Sequence, residues 1–374
     1  MKNHKSILDN SLLVPFYAKL ALVFIGIFAM VYTMYIDQRI IVPIVFAILI
    51  AILLNPLVNY LTNKNVNKLV AISTAVILAI VAVSVILYVL SSQISMLCDT
   101  YPQLKIKFNV VSVQLVQWLS DRLNIRASKI DEWLNITQTQ TVSNLVVSEK
   151  LTEAGQLLMT GILLPVYLFM ILYYKPLLLE FTRKLFRQEH HAIILEVFIS
   201  TKKIIQSYLV GLFFEMIIIA VLNSVGLLIL GIDYAIILGI TGAILNVIPF
   251  VGGIIAIALP VSVAFITKDS VSYPLLVFLV YIFIQFADNH YIIPRIVASR
   301  VKLNALVSVV VVLTGGALWG IPGMFVSIPL TGIIKVIFDH IESLKPWGFL
   351  LGNVVPSASK YSFIRPRKAT SLVK

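Results

Sequence analysis

Charge is what this 374-residue sequence has least of. Asp, Glu, Lys and Arg together make up 12% of it, where a soluble domain carries roughly 25%. So few charged side chains cannot cover a chain of this length in water, which excludes an ordinary soluble fold. Cysteine is nearly absent too. Cys98 stands alone, so no intramolecular disulfide can form and a cysteine-ligated metal site lacks its ligands. The histidines His4, His190, His191, His290 and His340 show no paired helical spacing, and the adjacent His190-His191 has no third ligand near it. His-Glu-x-x-His, Gly-x-Ser-x-Gly and Gly-Lys-Ser/Thr are all missing; these are the signatures of zinc proteases, serine hydrolases and phosphate loops. No catalytic residue, metal or cofactor is expected, and an intramembrane protease has no constellation to rest on.

Apolar residues fill the space. They are 59% of the chain, and the mean hydropathy is +0.98. The sequence reads as an all-α polytopic membrane protein with about eight hydrophobic segments, two of them broken or re-entrant, plus a small amphipathic helical external insert. The net charge of +12 does not point to nucleic acid, because the Lys and Arg residues lie between apolar spans. Positive-inside topology and contact with anionic lipid account for them. Four regions follow: residues 1–97 with a tail and three spans, 98–153 as the insert, 154–343 as the half with broken helices, and 344–374 as a basic tail.

The first apolar run, Ala18 to Tyr35, has no small-residue cleavage pattern after it and reads as a retained span. Lys2, Lys5 and Lys19 against Asp9 place the N-terminus in the cytoplasm. Asp37-Gln38-Arg39 is the turn into a second span, Ile40 to Leu61, where Asn55-Pro56 is expected to bend the helix. A third span covers Leu69 to Leu97. In the insert that follows, Leu104, Phe108, Val111, Leu115, Trp118 and Arg122 keep a three-to-four spacing, the mark of an amphipathic helix. Its charges balance, so alternation puts it outside; an Asn135-Ile-Thr137 sequon lies within it. A fourth span, Ala154 to Tyr174, leads to a basic cytoplasmic loop from Lys175 to Lys203, and a fifth covers Ile204 to Leu230.

Glu215 sits about one-third of the way into that fifth span, with Asn223 eight residues later on a similar face. A carboxylate at hydrocarbon depth is costly and usually faces a cavity or a partner helix. Glu215 is therefore either a proton carrier or a structural hydrogen-bonding group.

The run from Asp233 to Thr267 is 35 residues, about 52 Å as one helix, against a hydrocarbon core of about 30 Å. Asn246, Pro249, Gly252 and Gly253 mark where it breaks. The last apolar block, Leu303 to Phe338, is interrupted likewise at Gly315, Gly316, Gly320, Pro322 and Gly323. Folding both blocks back brings Arg295, Arg300 and Lys302, and the basic C-terminus, to the cytoplasmic side. Two long kinked spans are the alternative. Between the breaks, Gln285, Asp288 and Asn289 cluster where a span ends, and Pro294 closes it. Irregular backbone at membrane depth is where transporters place substrate sites, so these residues form either the site or a helix cap.

Tyr208-x-x-Gly211, Asn246-x-Ile-Pro249-x-x-Gly252, Gln285-x-x-Asp288-Asn289-x-x-x-x-Pro294, and Gly315-Gly316 through Gly320-x-x-Gly323 with Pro329 occur in this order. In these motifs, and in its span plan from about Ser11 to Leu344, the sequence resembles the autoinducer-2 exporter family of bacterial membrane proteins. The resemblance implies secondary transport without ATP hydrolysis in the inner membrane. Some members are associated with export of autoinducer-2 and quorum sensing, others with sodium (or lithium)/proton antiport. It also implies homo-oligomers, as pentamers, in a lipid bilayer, moving a small polar solute or a monovalent cation. One departure stands out: Leu212, Phe213 and Phe214 follow the Tyr-x-x-Gly motif where a polar residue is often found, before Glu215. A scaffold that binds envelope proteins through the insert is the reading from another class.

Overall fold

The computed structural model describes residues 15–123, 150–298, 301 and 303–353. The N-terminal tail, the centre of the insert with its sequon, Arg300, Lys302 and most of the basic C-terminal tail lie outside the described residues. Every regular element among the described residues is helical. In chain order they are α1 (Phe16–Ile36), α2 (Gln38–Asn63), α3 (Lys68–Leu123), α4 (Lys150–Leu185), α5 (His191–Ile229), α6 (Ala235–Asn246), α7 (Val251–Thr267) and α8 (Ser272–Ala287). Two π-helical stretches, Asp288–Ile292 and Pro294–Ala298, precede α9 (Ala305–His340) and the short α10 (Lys345–Leu351). Seven of the described helical segments are long and apolar enough to cross a membrane, while α6 and α7 are shorter apolar helices. The chain is an all-α polytopic membrane protein.

Helix ends depart from the polarity boundaries. Only Asp37 separates α1 from α2, and α2 continues through Pro56 to Asn63. The third helix runs on past Leu97 to Leu123 and through Pro102, since a change to polar residues does not by itself end a helix. Much of the region read as a basic loop is likewise helix, with α4 reaching Leu185 and α5 starting at His191. An Arg183–Glu180 ion pair at 2.8 Å decorates the end of α4, as i,i+3 spacing on a helix permits.

The chain divides into two compact units, Met1–Leu178 with Thr314–Val326 and Leu179–Leu313 with Ser327–Lys374. In the first, α2 and α3 meet through Ala47, Ala51, Ala71, Ala75 and Ala79, with Leu168 and Leu172 of α4 against them. Small side chains let helix backbones approach where lipid supplies no hydrophobic drive. Buried Asn55 accepts a hydrogen bond from Lys175 Nζ at 2.8 Å. The break in α9 belongs to this unit: Trp319 (φ −133°, ψ 15°) and Gly320 (φ 64°, ψ −144°) leave helical geometry. Trp319 Nε1 donates to the Met34 carbonyl at 2.9 Å, one of the last carbonyls of α1, which helix geometry leaves unpaired.

In the second unit the break falls between α6 and α7. Pro249 supplies no N–H, and Val251 N–H donates to the Pro249 carbonyl at 2.8 Å across Phe250, whose φ is 64° and ψ −45°. This is a γ-turn of the strained hand, built on a residue with a Cβ. Both breaks reverse the chain. A Cβ added to Gly252 would overlap the Leu245 carbonyl oxygen, and one added to Gly323 would overlap that of Gly315. Seven or eight residues of straight helix would separate such groups by about 10–12 Å. At 12 and 17 residues, α6 and α7 would be about 18 and 26 Å long, each short of a bilayer core.

The Phe250 turn gives a direct prediction. Phe250→Gly removes the cost of positive φ, and Phe250→Ala keeps it. The glycine variant should be more stable than the alanine variant by about 1 kcal/mol, read as thermal unfolding in detergent.

Candidate functional site

Five of the polar and turn residues singled out by sequence converge in the second unit. Asn246, Pro249, Gly253, Gln285 and Asn289 line one cavity of about 420 Å³, and Glu215 lines it as well. Each position has a local cause. Asn246 is the last residue of α6 because Pro249 cannot extend the helix. Gln285 and Asn289 stand four residues apart around the end of α8, so they share a face. Pro294, with no N–H of its own, opens the second π-helical stretch, and Ile293 N–H reaches back five residues to the Asp288 carbonyl. Such wide turns recur at functional sites.

Asp288 does not line the cavity. It is fully buried, and its Oδ2 accepts a hydrogen bond from Asn246 Nδ2 at 2.8 Å. Its Oδ1 has no partner, nor has Oε2 of Glu215, which is 5% exposed. The two carboxyls lie within electrostatic reach of each other, and Tyr208 is within reach of Glu215. Two acidic groups and an amide thus meet where three helices, α5, α6 and α8, come together beside the broken segment.

Other expectations fall elsewhere. Gly252 supports the turn against Leu245 rather than the cavity. Gly315, Gly316, Gly320, Pro322 and Gly323 form the break in α9; all five belong to the other unit. His290 stacks on Phe286 at 4.1 Å between ring centroids, and its Nδ1 pairs with the Phe286 carbonyl at 2.9 Å. That leaves it a structural role.

Sequence reading missed part of the wall. Tyr208 and Leu212, read only as parts of a family motif and of the departure from it, stand seven and three residues before Glu215 and line the cavity with it; helical spacing could have placed them there. Ser308 and Ile328, from α9, also contribute, and no local signal points to them.

A model of the AI-2E family transporters matches residues 22–343. The chain belongs to this family. Among relatives, YueF of Bacillus subtilis is 26% identical over 62% of this chain and 63% of its own length. YrrI of the same organism is 30% identical over 37% of this chain and 38% of its own. PerM of Escherichia coli K12 is 25% identical over 47% of this chain and 50% of its own. YueF and YrrI are transport proteins, and PerM a permease, by name only. The matched stretches thus cover less than two-thirds of each relative.

Proposed function

We propose that this protein is a secondary transporter, not an enzyme, which carries a small polar solute of the autoinducer-2 type through the α5–α8 cavity with proton coupling. The observation that carries this reading is a pair of buried carboxyls, each with one oxygen unpartnered, beside a cavity of about 420 Å³. Asn246, Gln285 and Asn289 offer amides to a polar solute, and Leu212 and Phe250 cover its apolar parts. Glu215 takes up a proton on one side and releases it on the other, and Asp288 is held in place by Asn246. One elementary charge moved through 100 mV supplies about 2.3 kcal/mol, roughly a fiftyfold gradient. The breaks at Pro249 and at Gly320 act as hinges, and both blocks are re-entrant. The protein sits in a bacterial inner membrane as a homo-oligomer, a pentamer by family resemblance, with both termini cytoplasmic. Residues 98–153 form its external insert, between the spans of 1–97 and the transport half, 154–343; residues 344–374 form a basic tail.

A second reading is sodium (or lithium)/proton antiport. The two free carboxylate oxygens favour it, since a monovalent cation takes oxygen ligands. Sealed proteoliposomes with an enclosed pH-sensitive dye separate the two. Proton movement evoked by autoinducer-2 and not by sodium supports solute export, and the reverse supports antiport. Silence with both, in vesicles that hold a pH gradient, overturns both substrate assignments.

A further inference from the structure

Asn304 stands between two residues that line the cavity, Leu303 and Ser308. It is the N-cap of α9, and its Oδ1 accepts from Val307 N–H at 2.8 Å. Its carbonyl accepts twice from Ser308, from the N–H and from Oγ, both at 3.0 Å. The rest of its hydrogen-bonding capacity goes to a segment far along the chain. Asn304 Nδ2 donates to the Leu350 carbonyl at 2.7 Å, and Asn304 N–H donates to the Leu351 carbonyl at 3.1 Å. Leu303 beside it forms an antiparallel bridge with Gly352.

Those carbonyls are the open end of α10. The last four carbonyls of a helix have no partner within it. In α10, Gly352 N–H takes those of Gly348 and Phe349, and Asn304 takes the other two. A helix of seven residues does not hold its form alone, so α10 depends on this docking. It also lies against the far end of α9, where a Cβ added to Gly348 would overlap Asp339 Oδ1. Thus α10 touches α9 both where it begins, at Asn304, and where it ends, at Asp339. The cavity wall draws on both sides: Val301, Leu303 and Ser308 come from the beginning, and Ile328 from the returning arm. The two sides are packed together, since a Cβ added to Gly332 would lie 2.8 Å from Val301 Cγ1.

Capping α9 does not by itself require an amide, because Asp and Ser cap a helix as well as Asn does. The contact with Leu350 does require one, since it needs an N–H at the end of the side chain. We propose that Asn304 is a positioning residue that clasps α10 to the cavity wall, so that docking of α10 holds Leu303 and Ser308 in place and its release loosens that wall. The clasp serves the cavity of the proposed transport route, yet its test reads the wall and not flux, so either can fail without the other.

Asn304→Asp and Asn304→Ser separate the clasp from the cap. Both keep an oxygen for Val307 N–H, but Asp has no donor for Leu350 and the Ser hydroxyl is one bond short of it. Each is made in a background with Cys98→Ala and Ser308→Cys, where the single thiol lines the cavity, and labelling by N-ethylmaleimide is timed. Labelling should be about fivefold faster in both, the change in open population that loss of one hydrogen bond brings. Hydrogen exchange over residues 345–352 should quicken with it as α10 comes loose. Val277→Cys, at a fully buried position of α8, replaces Ser308→Cys as the control and should stay unlabelled. Unchanged or slower labelling, or unchanged exchange, overturns the proposal, because Asn304 would then do no more than cap α9. A matching rise at Val277→Cys overturns it too, since the variants would be loosening the whole unit.

Discussion

Glu215→Gln should reduce proton-driven solute flux at least tenfold and flatten its dependence on pH, with the protein still folded. Gln has nearly the same shape as Glu, and Glu215 Oε2 has no hydrogen bond to lose. What the substitution removes is the exchangeable proton, and a tenfold loss corresponds to about 1.4 kcal/mol of driving or barrier energy. Asp288→Asn is the companion variant. Its amide can turn its oxygen toward Asn246 Nδ2, so the contact at 2.8 Å is retained and only the charge is lost. Flux in proteoliposomes across a range of imposed pH gradients checks both. Wild-type rates and wild-type pH dependence in both variants would remove this pair from the coupling mechanism.

Gly252→Ala should deplete folded protein, and Gly253→Ala should barely matter. The two glycines are neighbours, but they face different obstacles. A methyl group on Gly252 meets the Leu245 carbonyl, which is backbone of the preceding helix and cannot yield without opening the reversal. Overpacking of this kind costs about 1–3 kcal/mol, occasionally more. A methyl group on Gly253 meets the Gln285 amide at 3.0–3.2 Å, the movable end of a long side chain, at a cost of about 0.5 kcal/mol. Gly323→Ala should behave as Gly252→Ala does, since it meets the Gly315 carbonyl. Monodisperse yield on size exclusion, together with the unfolding midpoint, ranks the three. Equal behaviour of Gly252→Ala and Gly253→Ala would show that the reversal is not as tight as described.

Much of this architecture can be read along the chain, because in a membrane every apolar run must be helical and every interruption needs a cause. Pro249, the paired glycines and Asn246 mark the first reversal, and Gly320 with Pro322 marks the second. Helix ends are harder. Polarity changes at Leu97 and at Tyr174, but polar residues alone do not end a helix, and α3 and α4 run past them. The candidate site was legible as a set of residue types and illegible as a set of contacts. Asn246 reaches Asp288 across 42 positions, and no periodicity encodes that pairing. Asn223 was read on a similar face to Glu215, yet only Glu215 lines the cavity. Ser308 and Ile328 reach the cavity from a segment whose own pattern says only that it is apolar.

The pairing of Asn246 with Asp288 has a mechanical consequence. Asn246 ends α6 just before the Pro249–Phe250 turn, and Asp288 opens the π-helical stretch after α8. Their hydrogen bond at 2.8 Å ties the base of the reversal to the end of a different helix. A shift of either end must carry the other with it or break that bond.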